Sequence, residues 1–251
     1  INLPEKYRIP IYLYYYEGFS VNEISEMTGT IMAICVMTDK MPEYNPDSII
    51  PCHLHAVDGK YYLILWSSTA GMALKWFKNA LAEGYSFEDL SEMAASVPVG
   101  SSGLTFLPYL CGSTMPKYNP AARGSFTGIT PEHTRAHFAR SIMEAVACML
   151  KSSLDYLGIS LSEIRAMGGA AKSPVWCQIK ADMTGKRLVT LKNNETATLG
   201  SAILAGVGIG AFESVEKAAE GILPDRVYEK GDADYSECYE RYEYYDKILN
   251  I

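Results

Sequence analysis

The chain has 251 residues, 48% of them hydrophobic and 20% charged, which suffices for one large or two small domains and excludes a disordered chain. The formal net charge of −7 argues against a nucleic-acid binder, because an acidic surface repels a phosphate backbone and suits a small-molecule enzyme. No apolar run reaches the roughly 18 residues of a membrane span, so no membrane protein is expected.

The first predicted elements are helices within residues 4–27. Pro4 suits the first turn of a helix, Gly18 interrupts the pattern, and Ser20 is a suitable cap for a second short helix. We therefore divide the chain into a helical amino-terminal segment, residues 1–26, and a main domain, residues 27–251.

Three strands are predicted next. Residues 31–37 form a near-continuous apolar run, as expected of a buried strand. Residues 52–57 and 61–66 flank Asp58-Gly59, which predicts a hairpin with a type I′ turn, in which both central residues need positive φ. The three consecutive strands are expected to form an antiparallel meander.

Helices and strands alternate in the rest of the chain. A helix is predicted over residues 70–83, with Leu74, Phe77 and Leu81 as its apolar stripe, and a long irregular connection is predicted over residues 96–130. The remaining predicted elements are helices at 131–157, 174–184 and 196–208, strands at 164–167 and 187–190, and an amphipathic helix within 235–251. The order βββαβαβα is that of one lobe of a ribonuclease-H-like, or actin-like ATPase, α/β fold.

The most specific segment connects the strand ending at Met167 to the helix starting near Pro174. Gly168 and Gly169 lie in this turn, and the missing Cβ atoms let a ligand approach the backbone. The helix start adds free N–H groups and the positive end of the helix dipole, which favour phosphate. A tight connection without any ligand is the alternative for a glycine pair taken alone.

Several segments, in order along the chain, carry the motifs of a known family. They are Ala70-Gly-Met-Ala-Leu-Lys-Trp-Phe77, residues 107–128, His133 through Ala147, Gly168 through Asp182, and residues 195–205. Together they resemble the carboxy-terminal domain of the FGGY carbohydrate kinases, in particular the xylulose-kinase-like branch. The resemblance runs from about Ser25 to Gly210 and implies the actin-like fold.

The resemblance implies a nucleotide cleft between two glycine turns. Gly29 and Thr30 match the family's phosphate-facing Gly-Thr turn, and Gly71 and Lys75 match the helix start that lines the cleft. The positions beside the adenosine and its α-phosphate match Gly169 and Ser173. From the sequence alone, a strand-edge hydroxyl remains the alternative for Thr30, and a solvated helix residue the alternative for Lys75.

The same resemblance implies phosphoryl transfer from MgATP to a sugar hydroxyl, with ATP and Mg²⁺ as cofactors. In the family an aspartate shortly before the Gly-Thr turn accepts the proton of the attacking hydroxyl, whereas the first aspartate here, Asp39, follows the turn. We therefore assign no catalytic residue and no metal ligand. The expected partners are ATP or ADP, with a sugar bound only when an amino-terminal lobe is present; a homodimer stays open.

The amino terminus resembles a different family. Residues 3–26 resemble the first helices of a bacterial sigma factor's promoter-reading helix-turn-helix. A recognition helix should then follow Gly29, but residues 31–37 predict an apolar strand, so DNA reading is not expected. A non-catalytic nucleotide-binding or DNA-associated regulator is the alternative function.

Other conspicuous side chains receive structural interpretations. Trp76 and Trp176 are predicted to be core anchors rather than adenine stackers. His53 and His55 share one strand face but lack a third ligand for a metal. Glu195 is expected to cap or begin a helix.

Six cysteines occur without CxxC or CxH spacing, and four of them lie inside apolar stretches. This distribution predicts buried free thiols rather than a disulfide framework or a metal site. Thiols of this kind are typical of a reducing cytosol, so a cytoplasmic location is expected.

Overall fold

A mixed seven-stranded sheet forms the centre of the computed structural model, which describes residues 23–42, 49–159, 161–193 and 195–249. The strands, numbered along the chain, are β1 Glu23–Thr28, β2 Met32–Thr38, β3 Cys52–Leu54, β4 Tyr61–Ser67, β5 Thr105–Leu107, β6 Ser125–Thr127, β7 Glu163–Met167, β8 Arg187–Leu191 and β9 Pro224–Tyr228. The order in the sheet is β3-β4-β2-β1-β7-β8-β9, and β5 pairs with β6 apart from it. The α/β class predicted from the sequence is confirmed.

Strand β1 occupies the middle of the sheet. It pairs antiparallel with β2, where Ile24 lies opposite Val36, and parallel with β7, where Ile24 lies opposite Ile164. The ladder is completed by antiparallel pairing of β2 with β4 and parallel pairing of β7 with β8. The first turn of the domain, between β1 and β2, is thereby brought beside the carboxyl end of β7.

The helix predicted through residue 27 is wrong for residues 23–27, which belong to β1, and the predicted boundary at 26/27 falls inside this strand. The physical reason is that the buried side chains of Ser25, Glu26 and Thr28 are polar and show no strand-like alternation of apolar residues. The rest of the predicted helical segment, residues 1–22, lies outside the described residues. Because β2 follows Gly29 directly, no recognition helix begins there.

The hairpin predicted around Asp58-Gly59 forms between β3 and β4, with Cys52 opposite Leu63. The turn differs from the predicted type I′, because Gly59 takes a φ of +78° while Asp58 does not take positive φ. The predicted meander is also wrong in its order. Strand β4 lies between β3 and β2, so β2 and β3 are not neighbours, and β1 is the other partner of β2.

Seven helices are present in the described residues: α1 Gly71–Leu81, α2 Phe87–Ala95, α3 Arg135–Leu157, α4 Pro174–Thr184, α5 Thr196–Gly208, α6 Val215–Ala219 and α7 Ser236–Leu249. Helices α4 and α5 have the predicted bounds. Helix α3 begins at Arg135 rather than at residue 131, because Thr134 and His137 form a capping box. Helices α2 and α6, strands β1 and β9, and the β5–β6 pair were absent from the predicted element order.

The two faces of the sheet carry different clusters. On one face, Ile24, Ile34 and Leu65 pack with Phe77 of α1 and Ile142 of α3 in the main core. On the other face, a smaller cluster contains Cys35, Met37, Tyr62, Met167 and Leu191, and Ile222 joins it to apolar residues of α5 and α6. Each fully buried Ile, Leu or Phe stabilises the fold by about 1.5–3 kcal/mol.

A buried polar network fastens α7 to the rest of the domain. Arg140 donates to Glu144 at 2.8 Å and to the hydroxyl of Tyr235 at 2.7 Å. Glu144 also accepts from the Gly100 N–H at 2.9 Å and from the Ser101 hydroxyl at 2.7 Å. Docking of the carboxy-terminal helix is therefore confirmed for residues 236–249.

Two side chains of α1 differ from their predicted placement. Trp76, predicted as a core anchor, is 39% exposed, and Leu81 of the predicted stripe is 52% exposed. The buried face of the helix consists of Ala73, Leu74 and Phe77, which puts Trp76 on the outer side. Trp176 is 3% exposed and donates its indole N–H to the carbonyl of Met143 at 3.1 Å, as a core anchor should.

Two absences concern only the described part of the chain. None of its helices has the length and apolar character needed to cross a bilayer. None of the six cysteines is in a disulfide, and Cys35, Cys148, Cys177 and Cys238 are buried.

Candidate functional site

A cleft of about 620 Å³ lies where the β1–β2 turn, the turn after β7 and the starts of three helices meet. Its lining includes every sequence-predicted binding residue, namely Gly29, Thr30, Gly71, Lys75, Gly169 and Ser173. The sequence separation within this set reaches from residue 29 to residue 173, so the sheet topology is what brings them together.

The β1–β2 turn forms one wall of the cleft. A Cβ built on Gly29 would meet no atom within 4 Å, so the backbone here is open to a ligand. The N–H of Gly29, however, donates to the carbonyl of Ile31 at 2.9 Å, so this amide is engaged within the turn rather than directed at a phosphate. The side chain of Thr30 is exposed and is the hydroxyl of this turn that faces solvent.

Gly71 permits a close backbone contact that the sequence did not indicate. A Cβ at this position would lie 2.2 Å from the carbonyl oxygen of Gly29, so the start of α1 touches the β1–β2 turn directly. The carbonyl of Thr30 accepts from the N–H groups of Ala70 at 3.2 Å and Met72 at 3.1 Å. The start of α1, which itself lines the cleft, therefore fixes the conformation of the turn.

The turn after β7 forms the facing wall. Gly168 has a φ of +82°, and a Cβ on it would lie 2.8 Å from the Thr28 carbonyl oxygen, so it lets the two turns pack together. A Cβ on Gly169 would meet nothing within 4 Å. A single 3₁₀ turn, Gly169–Lys172, then leads into α4. Of the two adjacent glycines, Gly168 therefore permits the close packing of the turns, whereas Gly169 leaves the cleft open.

Ser173 caps α4. Its hydroxyl accepts from the N–H of Trp176 at 3.2 Å and is hydrogen-bonded to the hydroxyl of Ser91 on α2. Pro174 occupies the first helical position, where a missing N–H costs nothing. The cap orients the start of α4 toward the cleft and ties α2 to it.

Several groups that favour anions line the cleft, although the chain as a whole is acidic. The first turns of α1, α2 and α4 all line it, through Gly71, Phe87 and Pro174, and helix N-termini carry the positive end of the dipole. Two exposed lysines, Lys75 and Lys172, add cationic groups at its edge. This arrangement suits an anionic ligand.

A buried ion pair lies beneath the β1–β2 turn. The ammonium of Lys180 on α4 lies 2.9 Å from both carboxylate oxygens of Glu26 and 2.8 Å from the hydroxyl of Thr28. Thr28 also donates to Glu26. Lys180 is 1% exposed, and Glu26 and Thr28 are 0% exposed. No local pattern indicated this group, because Lys180 lies 152 to 154 residues from its two partners.

Other residues of the cleft were also missed. Helix α2 contributes Phe87, Glu88 and Ser91, and α3 contributes Met143. A signal for α2 was present, because Ser86 and Asp89 form a capping box three residues apart. Lys172 lay within the recognised motif but received no role.

Metal-binding groups are sparse. Within the described ranges, no group of three or more His, Cys, Asp or Glu side chains is placed to hold a metal ion. Among the described lining residues, Glu88 alone carries a carboxylate. His53 stacks on Tyr62 at 5.1 Å, and His55 accepts from the Val57 N–H at 3.0 Å, which supports the structural interpretation of both histidines.

The sequence of this chain matches the model of one protein family and is similar to members of that family. The model of the FGGY family of carbohydrate kinases, C-terminal domain, matches residues 33–209. A xylulose kinase from Staphylococcus epidermidis is 36% identical over 200 residues, which is 78% of this chain and 40% of that protein. A glycerol kinase from Saccharolobus islandicus is 31% identical over 231 residues, 87% of this chain and 46% of that protein.

Solved structures agree. A ligand-bound xylulose kinase from Lactobacillus acidophilus superposes with a TM-score of 0.82 at 26% identity, covering 92% of this chain and 48% of that one. The actin-like α/β fold expected from the element order is confirmed. The chain spans less than half the length of each of these three proteins.

Proposed function

The chain belongs to the FGGY family of carbohydrate kinases, whose C-terminal domain it carries, and we propose that it is the nucleotide-binding lobe of an enzyme that transfers the γ-phosphoryl group of MgATP to a sugar hydroxyl. The observation that carries this proposal is the cleft itself. Two glycine turns, at Gly29 and Gly169, line it with open space where side chains would stand. Backbone without Cβ atoms admits a polyphosphate closely.

The cleft residues fit a nucleoside polyphosphate. Gly169 and the capped start of α4 would hold the adenosine side and the α-phosphate, with apolar cover from Met143, Phe87 and Trp176. Thr30 and Lys75 would meet the terminal phosphates. Helix N-termini and lysines both favour that charge.

Mg²⁺ would enter with the nucleotide. The ion needs few protein ligands when phosphate oxygens and water complete its octahedral shell. The lining supports this assignment, since the described residues offer a single carboxylate there, Glu88. Mg²⁺ supplies charge neutralisation at the phosphates, while the residues of this chain bind and orient the nucleotide.

Xylulose is the sugar that we propose first as the acceptor. The Staphylococcus relative and the Lactobacillus structure are both xylulose kinases, whereas the Saccharolobus relative is a glycerol kinase. Neither the sugar pocket nor the proton acceptor is assigned to a described residue of this chain. We propose that both lie in an amino-terminal lobe.

Calorimetric titration of ADP into the purified chain, with and without Mg²⁺, tests the nucleotide site. We expect saturable binding, and amide chemical-shift changes confined to residues around Thr30 and Gly169. Shifts that avoid both turns, or the absence of saturable binding, would refute the site. Light scattering on the same sample measures the assembly state, for which a homodimer stays open.

We further propose a cytoplasmic location, as for an enzyme that uses cellular ATP. The six cysteines without a disulfide agree with a reducing compartment. Fractionation of cells that express the chain, with detection by antibody, checks this placement.

A further inference from the structure

The ion pair between Lys180 and Glu26 connects β1 and α4, the two elements next to the facing walls of the cleft. Glu26 is on β1, two residues before the end of the strand, and Lys180 is on α4. The Lys180 ammonium lies within 2.9 Å of both Glu26 oxygens and within 2.8 Å of Thr28 Oγ1. The Lys180 side chain of α4 therefore binds two of the last residues of β1, Glu26 and Thr28.

Stability alone explains this pair poorly. Burying two charges costs several kcal/mol of desolvation for each ion, and well-packed apolar residues of similar volume are often as stable or more so. A buried pair of this kind can specify a geometry instead. Here the geometry is that of Thr28, whose hydroxyl accepts from Lys180 and donates to Glu26.

Thr28 is the residue from which the β1–β2 turn departs. Its side chain is 0% exposed, and its carbonyl oxygen touches the Gly168 position of the facing turn. The cleft side of the turn is open, since nothing lies within 4 Å of a Cβ on Gly29. Because Gly29 is flexible and has open space on one side, its conformation depends on the contacts that its neighbours in the turn make with the rest of the protein.

Two sets of contacts supply that support. The start of α1 holds the carbonyl of Thr30 through the N–H groups of Ala70 and Met72. The Lys180–Glu26 pair holds Thr28 from beneath and connects it to α4. The contact through Lys180 fixes the position of the β1–β2 turn relative to α4, and the start of α4 lines the opposite wall of the cleft.

We propose that Lys180 and Glu26 are positioning residues that act through Thr28 to hold the β1–β2 turn where it meets the terminal phosphates of the nucleotide. The proposal rests on the nucleotide-binding function proposed above. Neither residue touches the ligand, because both are buried below the turn. Their effect should therefore fall on the β-phosphate contacts and spare the contacts made by α4 and Gly169.

The measurement is the ratio of AMP to ADP dissociation constants, taken by calorimetry on the full chain. In the wild type, ADP should bind more tightly than AMP, because its β-phosphate reaches the turn. The substitution Thr28→Val removes the hydroxyl at nearly constant volume and leaves Lys180 paired with Glu26. We expect it to weaken ADP binding by about tenfold, because the turn is no longer held where the β-phosphate meets it, and to change AMP binding by less than about twofold.

Two further variants sharpen the test. Thr28→Ser keeps the hydroxyl and should retain the wild-type ratio. The double variant Lys180→Met with Glu26→Gln removes both charges together, so that neither is left buried alone. It should lose the preference for ADP as Thr28→Val does, while circular dichroism stays unchanged.

Glu144→Gln is the matched control. Glu144 is 2% exposed and pairs with Arg140 in the buried network that fastens α7. Breaking that pair should lower the melting temperature and leave the AMP/ADP ratio as in the wild type.

Each outcome separates the two proposals. If the wild type binds neither nucleotide, the proposed function fails and this inference fails with it. If the wild type prefers ADP, and Thr28→Val and the double variant are folded but keep that preference, the positioning role alone is overturned. A change in the ratio for Glu144→Gln equal to that for Thr28→Val would also overturn it, because the effect would then follow stability.

Discussion

At Gly169 a Cβ would meet no atom within 4 Å, whereas at the neighbouring Gly168 it would lie 2.8 Å from the Thr28 carbonyl oxygen. The two residues are indistinguishable by type and adjacent in the chain. Their difference comes from the backbone, since Gly168 takes a φ of +82° and a Cβ on it would lie against the Thr28 carbonyl of β1. A substitution at each should consequently have a different kind of effect.

Gly169→Val should abolish ADP binding without unfolding the chain. The new side chain would enter the open cleft rather than protein atoms, so it competes with the ligand alone. The measurements are calorimetric titration and the melting temperature, and the melting temperature should stay within a few degrees of the wild type. Retained ADP affinity in a folded variant would contradict the assignment of this turn to the nucleotide.

Gly168→Ala is the matched control for that substitution. It should destabilise the fold by about 1–3 kcal/mol, because the alanine would be held at positive φ and against the Thr28 carbonyl. Urea unfolding measures the loss. A neutral Gly168→Ala would show that the two turns are less tightly packed than the structure indicates.

His55 should make the fold sensitive to mild acid. Burial, reinforced by Lys60, lowers the pKa of His55 to about 4, from an ordinary value of 6.5. Between these two pH values the unfolded chain binds a proton on His55 and the folded chain does not. The free energy of unfolding therefore decreases as the pH falls from about 6.5 toward 4, and this decrease stops at lower pH. Between pH 7 and pH 5 the loss from this residue should reach about 2 kcal/mol.

Urea unfolding at the two pH values, in the wild type and in His55→Asn, measures this contribution. The asparagine carbonyl can accept the Val57 N–H that His55 Nδ1 now accepts, but it does not titrate. The variant should lose about 2 kcal/mol less than the wild type on acidification. Equal losses in the two proteins would assign the acid sensitivity to other groups.

At the scale of elements, α2 shows how a short helix completes a site. Its first residues, Phe87 and Glu88, line the cleft, and Ser91 is bonded to the Ser173 cap of α4. The helix is started by a reciprocal cap, in which Ser86 accepts from the Asp89 N–H at 3.0 Å and Asp89 accepts from the Ser86 N–H at 2.7 Å. The cap decides where the helix begins and hence which side chains face the cleft.

Ser86→Ala should lower the free energy of unfolding by about 1 kcal/mol, the usual cost of losing a cap. Ser86→Thr should retain most of it, because the threonine hydroxyl can make the same bond. Chemical denaturation of the three proteins provides the comparison. An alanine variant as stable as the wild type would mean that tertiary packing alone starts α2.

Strand β1 illustrates the opposite case, because tertiary contacts rather than its own residues make this segment a strand. Its buried polar residues do not alternate with apolar ones, and the local pattern favoured a helix. Ladders with β2 and β7 and the pairing of Glu26 with Lys180 make it a central strand. Most of these partners lie far along the chain, so no local pattern contains them.

At the scale of the whole molecule, both described walls of the cleft suit the proposed nucleotide, and neither is assigned to a sugar. Its described lining contains no aspartate, and Glu88 alone carries a carboxylate. Positioning of reactants contributes roughly 7–11 kcal/mol to catalysis, and a general base about 10²–10⁴-fold in rate. Both contributions depend on groups that hold the acceptor hydroxyl.

A polypeptide of these 251 residues should therefore show no sugar-dependent ADP release with MgATP and a panel of pentuloses, pentoses, hexoses and glycerol. A coupled ADP assay measures it. Turnover near 1 s⁻¹, roughly an ordinary enzyme rate, would contradict the prediction. Activity restored by adding a separately expressed amino-terminal lobe would support the proposed kinase.

Local chemistry in the sequence was sufficient for α4, α5 and the two glycine turns. Pro174, Gly185 and the Gly168-Gly169 pair act through φ, capping and missing Cβ atoms, which depend on neighbours in the chain. The family motifs then predicted six binding residues in one cleft, and all six positions line the cleft that the structure describes.

Tertiary structure alone decided the rest. Whether Gly71 faces a ligand or the Gly29 carbonyl, whether Trp76 is buried, and what Glu26 pairs with all depend on segments packed from elsewhere. The clearest case is the Lys180–Glu26–Thr28 group, since the free energy of a buried charge depends on its partner and not on its neighbours in sequence. The sequence determined the local turns and helices, whereas long-range pairing determined what holds them in place.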